Sequence, residues 1–81
     1  MNRSELKQKL EREGVRTDLY SLSGGNSPEA LVLNRNGNQW EVYYSERGYK
    51  NALETFDNES DACENIYPKI KDYAGELKNT A

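Results

Sequence analysis

The feature that most constrains the fold is the dipeptide Asn36-Gly37, which lies between two short apolar segments. Asn-Gly favours the tight turns with positive φ that join antiparallel strands, so it predicts a β-hairpin. The segment before it, Glu29–Leu33, and the segment after it, Gln39–Ser45, both have the length and residue types of a strand. We therefore predict a hairpin whose turn lies within Asn34–Asn38.

Two further strands are predicted beside this hairpin. One is Leu19–Leu22, closed by a turn at the Gly- and Ser-rich segment Ser23–Pro28. The other is Tyr49–Phe56, which follows a turn at Glu46–Gly48. Because connections this short join neighbouring antiparallel strands, the four strands predict an antiparallel β-meander.

A short helix is predicted before the first strand, over about residues 3–13. Asn2 followed three residues later by Glu5 has the pattern of a capping box, which marks a helix start. Leu6 and Leu10 are four residues apart and therefore share one face of this helix.

A second helix is predicted after the last strand, with Asp57 or Asn58 as its N-cap. Its apolar residues recur with a helical period and form one stripe. These residues are Ala62, Ile66, Ile70 and Tyr73. Pro68 removes a backbone donor and predicts a kink or break near Tyr67, and Gly75 predicts the end of the helix.

The predicted fold class is therefore α+β, in the order helix, four-stranded antiparallel meander, helix. Both helices are expected on one sheet face, because a lone sheet of this size buries too little apolar surface. The 81 residues predict one domain over residues 1–81, ordered over about residues 3–74 and frayed at the C-terminal end.

Alternation along Gln39–Ser45 assigns the side chains of this strand to two faces. Trp40, Val42 and Tyr44 fall on one face and are expected in the core. Glu41 and Tyr43 fall on the other face, so we expect them to be exposed to solvent or to a partner.

Charge is unevenly distributed along the chain, whose net charge is −3. Residues 41–81 hold nine acids and five bases, and the run Glu54–Glu64 has five acids and no base. An acidic surface repels nucleic acids and anionic membranes and attracts basic partners. The alternative is that these acids form only the solvated start of a helix.

Several kinds of chemistry are excluded by composition. The chain has no histidine and one cysteine, so it cannot form Ser-His or Cys-His nucleophile pairs or the usual zinc sites. Cys63 lies on the apolar helix stripe and is predicted to be a buried structural thiol. We therefore predict no catalytic residue, cofactor or metal; an acid pair of Glu41 and Glu46 is the remaining enzymatic alternative.

The localisation expected from the sequence is the cytoplasm. The N-terminal segment is polar, no apolar stretch could span a bilayer, and a single cysteine is typical of a reducing compartment. By elimination, the function predicted is binding to another macromolecule through an acidic surface that contains tyrosine. The predicted partner-binding residues are Glu41, Tyr43, Glu46, Tyr49, Glu54, Asp57, Glu59, Asp61 and Glu64.

A family resemblance covers roughly residues 19–67. It is carried by Leu22-x-Gly24-Gly25, Glu29-Ala30-x-Val32-Leu33, Trp40-x-Val42-Tyr43-Tyr44-Ser45-Glu46-Arg47-Gly48 and Phe56-x-x-Glu59-x-x-Ala62. These segments resemble the small immunity proteins of bacterial polymorphic toxin and contact-dependent growth inhibition systems, in particular the immunity protein 59 type. The resemblance implies a protein without catalytic residues that neutralises a cognate toxin domain, often a basic nuclease.

The expected partner is thus a toxin domain, with no direct contact to nucleic acid or membrane, and the free chain is expected to be a monomer or weak dimer. A different reading also fits the residues. In it, the chain is a small regulatory adaptor or a homodimerising protein with no toxin partner.

Overall fold

The computed structural model of the protein describes residues 1–24 and 29–79, with side chains described up to residue 76. It has the α+β composition that the sequence predicts. The elements are α1 Arg3–Arg12, a 3₁₀ turn Thr17–Leu19, β1 Tyr20–Ser21, β2 Ala30–Asn36, β3 Gln39–Glu46, β4 Tyr49–Phe56 and α2 Glu59–Asn79. The strands form one sheet in the order β1-β2-β3-β4.

The sheet is mixed, so the predicted antiparallel meander is wrong at β1. β2, β3 and β4 are antiparallel neighbours, but β1 runs parallel to β2, with Tyr20 opposite Leu31. After β1 the chain does not turn back but continues beside β2 in the same direction. The Gly24 amide there donates to the Leu33 carbonyl at 3.0 Å. Of the predicted turn Ser23–Pro28, residues 25–28 lie outside the described residues.

Glycine is required where this segment passes β2. Gly24 has a φ of +78°, and a Cβ atom at this position would overlap the side-chain oxygen of Asn34. Any other residue would therefore strain the backbone and displace Asn34. The close approach lets the chain follow β2 in the parallel direction.

Both predicted hairpin turns are present as two-residue loops. The Asn-Gly signal places the first hairpin correctly, but its central residues are Gly37 and Asn38, and only Gly37 has a positive φ. That pattern is a type II′ turn. The second loop is Arg47-Gly48, where both residues have a positive φ, the pattern of a type I′ turn.

Helix α1 has capping hydrogen bonds at both ends, and those at its start are the ones that the sequence predicts. The capping box is present: Glu5 N–H donates to Asn2 Oδ1 at 2.9 Å, and Asn2 N–H donates to Glu5 Oε1 at 3.0 Å. At the other end Gly14 has a φ of +74°, and Val15 N–H donates to the Leu10 carbonyl at 3.0 Å. This is a Schellman motif, which satisfies carbonyls of the last turn.

Helix α2 begins where predicted but is longer and unbroken. Asn58 caps it, accepting from Asp61 N–H at 2.8 Å. The helix continues through Pro68 and past Gly75. Glu64, whose carbonyl loses its helical donor to the proline, is exposed, so solvent can satisfy that carbonyl. Gly75 lacks the positive φ of a helix end.

One core joins both helices to one face of the sheet, as the sequence predicts. Trp40 and Val42 of β3 belong to the same apolar cluster as Leu6 of α1 and Ile66 of α2. The helices are also bonded directly, because Glu13 accepts from the Tyr67 hydroxyl and from Lys71. Within the described residues, neither helix has the length and apolar character needed to cross a bilayer.

Candidate partner-binding surface

Two of the predicted surface residues are buried. Glu41 and Tyr43 lie on the sheet face turned away from the helices, yet they are only 6% and 3% exposed. The expectation that they are exposed is therefore wrong. Lys50 of β4 lies on the same face, with its Nζ over the Tyr43 ring, 4.9 Å from the ring centre.

The buried carboxylate of Glu41 is the centre of a polar cluster. It accepts hydrogen bonds from the side-chain amides of Asn34 at 3.0 Å and Asn36 at 3.3 Å, and Lys50 Nζ lies 3.5 Å away. The amide of Asn34 contributes most to holding the pKa of Glu41 below its ordinary value, against the opposing effect of burial. These contacts give Glu41 a structural role in joining β2, β3 and β4.

The alternative acid pair is not assembled in the structure. Glu41 lies opposite Thr55, whereas Glu46 lies opposite Tyr49 at the other end of the hairpin. The two carboxylates also fall on opposite faces of β3, because they are five positions apart, an odd number. They therefore cannot act on one substrate atom together.

The acids predicted around the start of α2 have partners within the protein. Glu54 accepts from Lys69 and from Asn65, each at 3.0 Å. Glu59 accepts from the backbone N–H of Arg3 at 2.8 Å, and the guanidinium of the same residue lies 3.7 Å away. Glu59 thus satisfies a free donor at the start of α1. These two acids stabilise the fold and are partly neutralised.

The other three acids of this region are exposed. Asp61 takes part in the cap of α2, because its carboxylate accepts from the Asn58 side chain at 3.0 Å. The side chains of Asp57 and Glu64 make no hydrogen bond or ion pair with the described residues. In the run that looks uniformly acidic in sequence, therefore, only two acids have no side-chain partner among the described residues.

A second group of acids gathers at the opposite end of the sheet, next to the β3–β4 turn. Glu46 lies opposite Tyr49, which is the most exposed large hydrophobic side chain described, at 74%. Glu29 directly precedes β2, whose first residue Ala30 pairs with Ser45, and the charges of Glu29 and Glu46 both act on Tyr44. Both acids therefore lie at the end of the sheet that carries Tyr49.

A tyrosine pair connects this end of the sheet to α2. The rings of Tyr44 and Tyr73 are 5.6 Å apart and meet edge to face, and the Tyr73 hydroxyl donates to the Glu29 carbonyl at 3.2 Å. The hydroxyl contact with Tyr73 raises the pKa of Tyr44 to about 12, helped by burial and by the charges of Glu29 and Glu46. Asp72 and Glu76 of α2 line a shallow groove with these rings.

We call this region the hairpin-end surface and define it by five exposed residues: Glu29, Glu46, Tyr49, Asp72 and Glu76. None of the four carboxylates makes an ion pair or hydrogen bond with the described residues. Lys69 lines the same groove as Asp72 and Glu76, but its ion pair is with Glu54, and that of Lys71 is with Glu13.

Of this surface, the sequence predicted Glu46 and Tyr49 but missed Glu29, Asp72 and Glu76. Asp72 and Glu76 are spaced four residues apart, which signals a shared helix face. No local pattern places that face beside the β3–β4 turn. That placement follows only from the way α2 packs on the sheet.

The described residues contain no group of His, Cys, Asp and Glu side chains that could hold a metal ion. Comparison with models of known protein families, with curated proteins and with solved structures finds no significant match to this chain.

Proposed function

We propose that this chain is an immunity protein, which binds a cognate bacterial toxin domain in the cytoplasm and neutralises it. Part of the support is the resemblance carried by Trp40–Gly48. In the structure this segment is one unit, β3 with the turn that follows it. It ends at the hairpin-end surface, so the segment that carries the resemblance leads directly to an exposed acidic region.

The observation that carries the proposal is the exposure of Tyr49 at the end of the sheet where four acids have no side-chain partner among the described residues. Tyrosine is enriched at protein interfaces, where its ring gives contact area and its hydroxyl can bond. Unpaired carboxylates around it would meet Arg and Lys side chains of a partner and speed the encounter. A nuclease that binds phosphates through Arg and Lys side chains has a basic surface of the kind that these carboxylates would meet.

Inhibition of this kind needs no chemistry from the inhibitor. The acids form ion pairs with the cationic side chains through which the toxin binds its nucleic acid. The toxin therefore cannot bind substrate while the complex lasts. Direct contact between the immunity protein and nucleic acid is not required, and the acidic surface opposes it. We further propose that the free chain is a monomer or weak dimer.

The test is binding and growth rescue with the C-terminal domain of the toxin encoded beside this chain. Glu46→Lys with Asp72→Lys reverses two charges on the hairpin-end surface and should slow association by about 10-fold at low salt, with a weaker dependence on salt. The matched control, Asp57→Lys with Glu64→Lys, changes the net charge equally at the far end of the sheet. It should slow association much less.

Failure of the wild-type chain to bind this toxin domain, or to rescue growth from it, would refute the proposed function. Equal slowing by the two double variants would place the interface elsewhere. Unfolding curves of both variants must match the wild type, so that the change in rate reports the interface and not stability.

The homodimer alternative has one structural observation in its favour. β4 is a free edge of the sheet, and it carries both exposed large hydrophobic residues described, Tyr49 and Leu53. An open edge can pair with a second copy of the chain. Light scattering at micromolar concentration decides between the readings, because the alternative requires a stable dimer without any other protein.

A further inference from the structure

In the β3–β4 turn, Arg47 has a positive φ, a backbone conformation that Gly, Asn and Asp adopt more readily than arginine. Three non-glycine residues described have a positive φ: Glu29 at +51°, Arg47 at +52° and Ala52 at +55°. The first is held by the Tyr73 hydroxyl on its carbonyl, and the third lies at the irregularity in the β3–β4 pairing. Arg47 has neither kind of support, because it lies in an exposed two-residue loop.

The fold does not explain this choice of residue. The first position of a type I′ turn strongly favours Asn, Asp or Gly, which tolerate a positive φ at little cost. The Arg47 side chain is exposed and makes no hydrogen bond, ion pair or ring contact with the described residues. An arginine there thus lowers the stability of the turn and gains no contact within the protein. Strain of this kind is found at functional sites.

The position of Arg47 relates it to the hairpin-end surface. It follows Glu46 directly and precedes Tyr49 by two residues, so it lies at the same end of the hairpin as both. Arginine and tyrosine are among the residue types enriched in binding hot spots. Arg47 thus adds an exposed cation without an internal contact among the described residues to this end of the sheet.

We propose that Arg47 anchors the interface by donating a bidentate pair of hydrogen bonds to a carboxylate of the toxin domain, with Tyr49 packed beside it. This inference rests on the proposed function and specifies the partner's surface. The complementary surface has cations around at least one carboxylate. The planar guanidinium suits that contact because its two parallel N–H groups match a carboxylate.

Arginine beside tyrosine can also bind a nucleic acid, through phosphate contacts and base stacking. The charges of Glu29, Glu46, Asp72 and Glu76 oppose that ligand, since each would repel the phosphate backbone. The same charges favour a protein partner that brings its own cations. We therefore assign the contact to a protein carboxylate.

The test uses a variant that should weaken binding without harming the fold. Arg47→Asn supplies the residue that the turn favours, so its midpoint of thermal unfolding should equal or exceed that of the wild type. Its dissociation constant for the toxin domain encoded beside this chain should rise by about 30-fold, the level that defines a hot spot. Arg12→Gln removes the same charge from α1 and should leave binding within about 2-fold.

The outcomes separate this inference from the proposed function. Binding by the wild type with equal affinity for Arg47→Asn overturns the anchor and leaves the function intact. If the wild type does not bind the toxin domain, both fall. Tight binding of a labelled single-stranded DNA oligonucleotide that is lost in Arg47→Asn also overturns the anchor, because the ligand would then be a nucleic acid.

A double-mutant cycle identifies the partner group. Each acidic residue of the toxin's cleft is changed to its amide, and each change is measured with and without Arg47→Asn. One of these pairs should lose binding non-additively, by about 10-fold or more. Full additivity for every acid would show that Arg47 contacts no carboxylate there and would overturn the assignment.

Discussion

Glu41 shows how a single buried charge can hold three strands together. Its carboxylate bonds Asn34 and Asn36 of β2 and lies 3.5 Å from Lys50 of β4. Removing one of the asparagines would leave the buried carboxylate with fewer hydrogen bonds, which is costly. The cluster therefore specifies the register of β2, β3 and β4 as well as stabilising it.

This cluster predicts a pH dependence of stability. The folded state lowers the pKa of Glu41 below its value in the unfolded chain, about 4.3. Its contribution to the free energy of unfolding is therefore complete above that value and is lost as the pH falls through the folded pKa. Between pH 6 and pH 3, Glu41→Gln should lose less stability than the wild type, as measured by urea unfolding.

The control for this measurement is Glu64→Gln, which neutralises an exposed acid with no partner among the described residues. Its stability should fall with pH as steeply as that of the wild type. Parallel pH profiles for all three proteins would mean that Glu41 is not held as a carboxylate in the folded state.

At the scale of elements, α2 shows that packing against the sheet can outweigh helix-breaking residues. Pro68 and Gly75 both disfavour a helix, yet α2 includes them. The reason is that its apolar residues before and after Pro68, which are Ile66, Ile70 and Tyr73, pack in the core. Helical stability in proteins comes mainly from such an apolar face. Gly75 then lowers the stability of the helix without serving as its end.

This yields a prediction for Gly75→Ala. A Cβ atom at Gly75 meets nothing within 4 Å and the backbone is helical, so the change should raise the free energy of unfolding by about 0.5–1 kcal/mol. Gly48→Ala is the contrast, because its site is equally open but has a φ of +82°. It should destabilise by about 1 kcal/mol. Denaturant midpoints of both variants check the pair.

The elements that the sequence predicts well are those with local signals. The capping box at Asn2 and the Asn-Gly turn each involve residues only a few positions apart, and both place their elements correctly. The direction of β1 has no such signal, since that strand is two residues long and depends on the contact of Gly24 with Leu33.

The site was harder to predict for a related reason. Alternation along β3 gives the correct faces but not what covers them, and Lys50 covers Tyr43 from a different strand. Likewise, the acids near Glu54 look unpaired in sequence, but Lys69, five residues beyond the end of the acidic run, pairs with Glu54. Contacts between elements decide which charges remain available.

At the scale of the whole molecule, charge is segregated between the two ends of the sheet. Near the start of α2, Glu59, Asp61 and Glu54 are held by Arg3, Asn58 and Lys69. Asp57 and Glu64, at the same end, have no side-chain partner among the described residues. Around the β3–β4 turn, none of the four acids of the hairpin-end surface has one among the described residues. Internal contacts therefore hold more of the acids at the first end than at the second.

Because Cys63 is buried, its reaction with an alkylating reagent reports how often the folded protein opens locally. The thiol is fully buried, and burial raises its pKa to about 11, so it carries almost no reactive thiolate in the folded state. Alkylation by iodoacetamide should therefore proceed only through molecules in which α2 has separated from the sheet.

The labelling rate of the native protein, divided by that of the urea-unfolded chain at the same pH, then gives the fraction of open molecules. A partner that binds only the folded form should slow labelling in proportion to its occupancy. Labelling of the free native protein at the unfolded rate would contradict this burial. The labelling rate of the single cysteine thus measures partner binding without a dye, a tag or a substitution.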